Sequence, residues 1–82
     1  MKVYGYKKNS DDLLELEEVS FECDIEEIDE MIRFFQYVKE EHSKVRLETE
    51  FCHSHLRDWK DSWKKDSTDI IVVTNFNSEE ID

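Results

Sequence analysis

From Asp24 to Ser43 the chain repeats apolar residues at three- and four-residue steps: Ile25, Ile28, Met31, Ile32, Phe35 and Val38. That is the period of an amphipathic helix, with Phe34 and Tyr37 widening the stripe. Asp24 followed by Glu27 forms an Asp variant of the capping box, and Glu26 and Glu27 suit the positive end of the helix dipole. Lys39 and His42 lie near the other end, where positive charge is favourable. One long helix thus takes a large share of an 82-residue chain, and the remaining segments must cover its apolar side.

Those segments read as strands. With no proline and only Gly5, left-handed turns fall to Asn, Asp or Ser. Val3, Tyr4 and Tyr6 form a β-prone opening strand, Asn9–Asp12 a turn, and Leu13–Cys23 a second extended run. Leu14 and Leu16 share one parity while Val19, Phe21 and Cys23 share the other, which a β-bulge near Glu17 and Glu18 reconciles. After the helix, Val45, Leu47, Thr49, Phe51, His53 and His55 alternate with Arg46, Glu48, Glu50, Cys52 and Ser54, as on a strand with two distinct faces. Leu56, Trp59 and Trp63 share one face of a short helix or loop reaching Lys65. Ile70–Thr74 is continuously apolar, as expected of a central strand covered on both faces. The spacing predicts an α+β fold in the order β-β-α-β-short helix or loop-β, a four-stranded, mostly antiparallel sheet with the long helix on one face.

The chain is short enough for a single domain, expected over residues 1–76, with 77–82 a frayed acidic tail. Hydrophobic residues make up 38% and aromatics 12%, sufficient for one core and too many for a disordered acidic segment. No run is apolar enough to span a bilayer, and Met1–Lys8 lacks the apolar stretch of a secretory signal. The expected location is cytoplasmic. Cys23 and Cys52 are then reduced, and read as small buried side chains.

Charge narrows the function. Between Lys8 and Arg33 stand eleven acidic residues and no basic one, in a chain whose formal net charge is -11. Such a field attracts cationic protein surfaces and repels phosphate backbones and anionic membranes. Displayed rigidly by a strand and a helix start, Glu22, Glu26, Glu27 and Glu30 are candidate contacts for a basic protein partner. A solvated face that keeps the chain soluble is the simpler alternative.

The other unusual cluster is Phe51-Cys52-His53-Ser54-His55-Leu56-Arg57-Asp58-Trp59. His53 and His55 share a strand face and could both reach one metal ion, but Cys52 points the other way and no spaced ligand set accompanies them. No cofactor is expected. Cys52 and His53, as strand neighbours on opposite faces, do not form a nucleophile and base. There is no phosphate-binding glycine loop and no nucleophile elbow, so an enzyme is not expected. Trp59 and Trp63 serve either the core or an interface. Arg57, Lys60, Lys64 and Lys65 add local positive charge, with Asp58, Asp61 and Asp66 to pair with it. An acidic nucleic-acid mimic and a His-x-His metal-binding domain are the alternative functions. With no proline guarding a strand edge, a homodimer is also open.

Taken together, Met1-Lys2-Val3-Tyr4-Gly5-Tyr6, Leu13–Val19, the acidic-started helix, His53-Ser54-His55-Leu56-Arg57-Asp58-Trp59 and Thr68–Thr74 give an order and spacing that resembles the immunity protein 32 family of bacterial polymorphic toxin systems. The resemblance spans most of the chain and rests on the joint order of weak motifs. It implies a small cytoplasmic α+β protein that neutralises a toxin domain by occlusion, not by catalysis, and it directs attention to His53, His55, Asp58 and Trp59. A nuclease toxin, commonly basic, would complement the charge.

Overall fold

The computed structural model describes residues 1–59 and 68–77. Strands β1 (Tyr4–Tyr6) and β2 (Leu13–Glu15) pair antiparallel, with Gly5 opposite Leu14. Their connection turns at Asn9, whose φ of 62° puts an asparagine in the left-handed region, as a chain short of glycine requires. The Ser10 amide bonds the Lys7 carbonyl at 3.1 Å, and the Ser10 hydroxyl accepts from the Asp12 amide at 3.2 Å.

Helix α1 (Ile25–Lys44) starts as its sequence predicts. Asp24 accepts from the Glu27 amide at 2.8 Å, and Glu27 accepts in return from the Asp24 amide at 3.1 Å. Both halves of the capping box are therefore closed. Strand β3 (Phe51–His55), helix α2 (Leu56–Trp59) and strand β4 (Ile71–Asn75) complete the order, with β3 and β4 antiparallel and His53 opposite Val73.

The α+β class and element order agree with the sequence, but the expected four-stranded sheet does not form. The described strands make two separate two-stranded sheets, β1-β2 and β3-β4. The second strand stops at Glu15 instead of running to Cys23, so no bulge is needed at Glu17 and Glu18. β1 offers only three paired residues, and after the Leu16 amide bonds the Val3 carbonyl the ladder has no further partner. The third strand also begins later than Val45: residues 45–48 turn, with the Glu48 amide bonded to the Val45 carbonyl at 2.9 Å, and Leu47 projects into solvent.

The core lies between α1 and β3-β4. Phe34, Val38 and Leu56 are buried, with Met31, Trp59, Ile70 and Val72 packed against them. Phe34 anchors it at 0% exposure, with the Trp59 ring 5.8 Å away between centroids. This corrects the expected stripe in part: Met31 and Val38, with Phe34 beside them, do turn inward. At about 100° per residue, Phe34, Val38 and His42 share one line with Met31, whereas Ile25, Ile28, Ile32 and Phe35 form the adjacent line. The second line stays exposed. β4 is likewise not covered on both faces, since Ile71 and Val73 are exposed while Val72 packs inward. Cys23 and Cys52 are free thiols, half-buried rather than buried. The second half of the expected 56–65 helix, with Trp63, and the tail beyond Asn77 lie outside the described residues.

This division of α1 sets an expected outcome for urea unfolding. Phe34→Ala should cost about 3–5 kcal/mol, enough to unfold much of so small a domain. Ile32→Ala, removing side-chain surface already half in water, should cost less than about 1 kcal/mol.

Candidate functional site

His42 organises the C-terminal half of the molecule. It sits one turn after Val38 and two after Phe34, so the helix turns it inward, where it is 3% exposed. Its Nδ1 lies 2.7 Å from the Thr74 hydroxyl and its Nε2 2.9 Å from the Ser54 hydroxyl. The strand register explains the match. Ser54 opposes Val72 and Cys52 opposes Thr74, so the two hydroxyls are diagonal neighbours on the sheet face toward α1. A neutral imidazole has one N–H and one lone pair, and hydroxyls can satisfy both. Burial, aided by the nearby His53, lowers the His42 pKa. The sequence placed His42 as a favourable positive charge at the helix end; the structure makes it a neutral clamp instead.

A Ser–His contact of this length is also how hydrolases activate a serine. Here the far ring nitrogen meets a neutral hydroxyl, which supplies no negative charge to stabilise an imidazolium, and burial disfavours that cation further. The arrangement suits structure better than nucleophilic catalysis.

Beside this clamp, Tyr37, His53, Ser54, His55, Asp58 and Trp59 line an open cleft of about 270 Å³. All four residues picked from the second half of the sequence, His53, His55, Asp58 and Trp59, therefore meet in one place. Tyr37 and Trp59 form its aromatic side, their ring centroids 6.0 Å apart and tilted by 42°. His53 and His55 meet edge to face at 5.4 Å. His55 Nδ1 lies 2.6 Å from Asp69 Oδ2, and Asp69 Oδ1 accepts from the Arg57 amide at 2.9 Å. One carboxylate thus fixes the end of β3 and the start of α2 to the approach of β4. Burial pushes the Asp69 carboxyl up, but the Arg57 amide and the His55 ring, with the charges of His55 and Arg57, outweigh it and hold the pKa low. Trp59 packs against the core and also lines the cleft. Among the described residues, no group of three or more His, Cys, Asp or Glu is arranged to hold a metal ion. Lys60, Asp61, Lys64, Lys65 and Asp66 lie outside the described residues.

The acidic candidates separate by role. Glu27 is occupied by the cap. Glu22 is exposed in the irregular segment before α1. Glu26 and Glu30 project, by helical geometry, within about 60° of Tyr37 and Glu41, so an acidic row on α1 leads toward the cleft, Arg33 at its margin. Glu26 and Tyr37 are about 16 Å apart along the axis at 1.5 Å per residue. Of the acidic residues from Asp11 to Glu30, all but Glu30 are exposed. Arg33 pairs with Asp29 at 3.6 Å, an ion pair at the end of the run itself.

Compared with protein-family models, curated proteins and solved structures, the chain finds no match.

Two pH effects follow. Because the folded His42 pKa is depressed, the unfolded chain binds the proton more readily. Its stabilising contribution is complete well above the unfolded pKa of about 6.5 and is lost as pH falls through that value toward the folded one. His42→Gln, which cannot take up a proton, should flatten that part of the urea midpoint's pH dependence. Asp69 is also depressed, so its contribution holds above the unfolded carboxyl pKa of about 3.9 and disappears as pH falls further. Asp69→Asn should remove this lower component and leave the His42 component in place.

Proposed function

We propose that the chain is a binding protein that neutralises a basic protein partner by covering it, and that this partner is a toxin domain to which the chain confers immunity. The observation that carries the reading is the acidic run from Asp11 to Glu30, exposed at all but Glu30, with Glu26 and Glu30 on the α1 line toward the His53–Trp59 cleft. A folded anionic surface steers association with a cationic one and disfavours like-charged competitors. The cleft adds what charge alone lacks: aromatic surface of the kind that dominates interface energies, in Tyr37 and Trp59. Inhibition by occlusion needs no catalytic group, which suits a histidine buried as a clamp. The resemblance of the motif order to the immunity protein 32 family is what suggests a toxin as the partner. The acidic surface equally accommodates a DNA-binding protein as target, which would make the chain a nucleic-acid mimic. Competition with duplex DNA separates the two.

The test is co-purification with a toxin domain encoded beside this chain, followed by titration. Affinity should fall at least about tenfold between about 50 mM and about 500 mM salt. The double reversal Glu26→Lys with Glu30→Lys should weaken binding by about tenfold or more, chiefly through slower association. Unchanged affinity in that double variant would remove the acidic surface from the account.

A further inference from the structure

The β3-β4 ladder fixes which backbone groups of β3 face outward. The Phe76 amide bonds the Glu50 carbonyl at 3.0 Å and the Leu56 amide bonds the Ile70 carbonyl at 2.8 Å, both between directly opposed residues. In an antiparallel pair, hydrogen-bonded positions alternate with positions whose N–H and C=O point away from the partner. Glu50, Cys52, Ser54 and Leu56 therefore face β4, and Phe51, His53 and His55 turn their backbone groups to the open side. The outward groups at Phe51 are covered: the Thr49 hydroxyl donates to the Phe51 carbonyl at 2.9 Å and accepts from its amide at 3.4 Å. No bond to another described residue covers the amides and carbonyls of His53 and His55.

The cleft runs along this same edge. It is lined by three consecutive β3 residues, His53, Ser54 and His55, and by α1 and α2, but by no described residue of β4. Consecutive residues point to opposite faces, so a cleft touching all three follows the strand's side and not one face. Tyr37, Trp59 and Asp58 thus stand beside a stretch of backbone that has no pairing partner among the described residues.

We infer that the His53–His55 edge of β3 is a docking edge that takes an extended, lysine- or arginine-bearing segment of the partner as an added antiparallel strand. This rests on the basic-partner reading and specifies how the partner is held. Main-chain bonds to His53 and His55 supply the pairing, and alternate side chains supply the selection. Those on the α1 side meet the faces of Tyr37 and Trp59 and the exposed Asp58 carboxylate, a setting suited to a cationic side chain. Charge selects against the other natural occupant, a second copy, since two chains at -11 each would have to meet along this edge. The described lining of this cleft does not reach the outward edge of β4 at Ile71 and Val73.

Three short peptides test the edge on the full chain: alternating lysine and threonine, the same peptide N-methylated at every second amide, and a glutamate–threonine counterpart. The lysine peptide should bind and slow hydrogen exchange at the His53 and His55 amides by at least about tenfold. N-methylation should weaken it by about tenfold or more, since it removes pairing N–H groups while keeping the charge. His53→Pro removes an outward N–H without touching the ladder to β4 and should weaken binding similarly, whereas His53→Thr, which keeps the amide, should not. Equal binding of the methylated and unmethylated peptides, with both amides unprotected, overturns strand addition and leaves the charged surface standing. Glutamate peptide binding as tightly as lysine peptide overturns the basic-partner reading and leaves the edge standing. Failure of all three to bind, or protection of the same amides by self-association alone in sedimentation, overturns the inference.

Discussion

The fold hangs on a single imidazole. His42 reaches from α1 to Ser54 on β3 and Thr74 on β4, so one side chain ties the helix to both strands that pack beneath it. Phe34 and Val38 supply the apolar burial, but apolar contact is non-directional and tolerates rotation or slippage. Two short hydrogen bonds in a buried setting do not, because leaving either hydroxyl or either ring nitrogen unmet costs about 1–3 kcal/mol. The clamp fixes how far α1 is rotated, and that rotation determines which helix residues face the core.

The same rotation makes the site. It turns Tyr37 toward Trp59 and leaves Glu26 and Glu30 on the line that leads to them. Asp69 completes the arrangement from the other side by holding His55 and the Arg57 amide, which sets the direction in which α2 leaves β3. The cleft is therefore assembled by polar contacts of high directionality around a small apolar centre. A domain this size has few large side chains to spare, and it uses Trp59 both to pack on Phe34 and to face the open edge.

The local signals in the sequence were legible where local physics decides. The capping box at Asp24 and Glu27, the left-handed asparagine and the β-prone run before Asn75 could each be read from neighbouring residues. The grouping of His53, His55, Asp58 and Trp59 followed from their closeness in the chain. Register between distant elements was not legible. Periodicity joins Ile25, Ile28, Ile32 and Phe35 to Met31 and Val38 in one stripe, and does not separate that line from Phe34-Val38-His42. The second line is the inward one because it meets the hydroxyls of Ser54 and Thr74 and the apolar Leu56 and Val72, all supplied by later elements. A histidine at four-residue spacing from Val38 was the available signal, and it passes equally well for a charge at a helix end. The four-stranded sheet failed for a related reason, since the opening hairpin pairs within itself and residues 16–24 lead to the helix without a further strand.

The uncovered line of Ile25, Ile28, Ile32 and Phe35 has a colloidal consequence. In neutral water, mutual repulsion between molecules of net charge -11 keeps these oily stripes from touching. Acidification toward pH 4.6 cancels that repulsion, and falling pH also disfavours the neutral form of the histidine that locks the helix. Acid therefore weakens the mutual repulsion and the helix clamp alike.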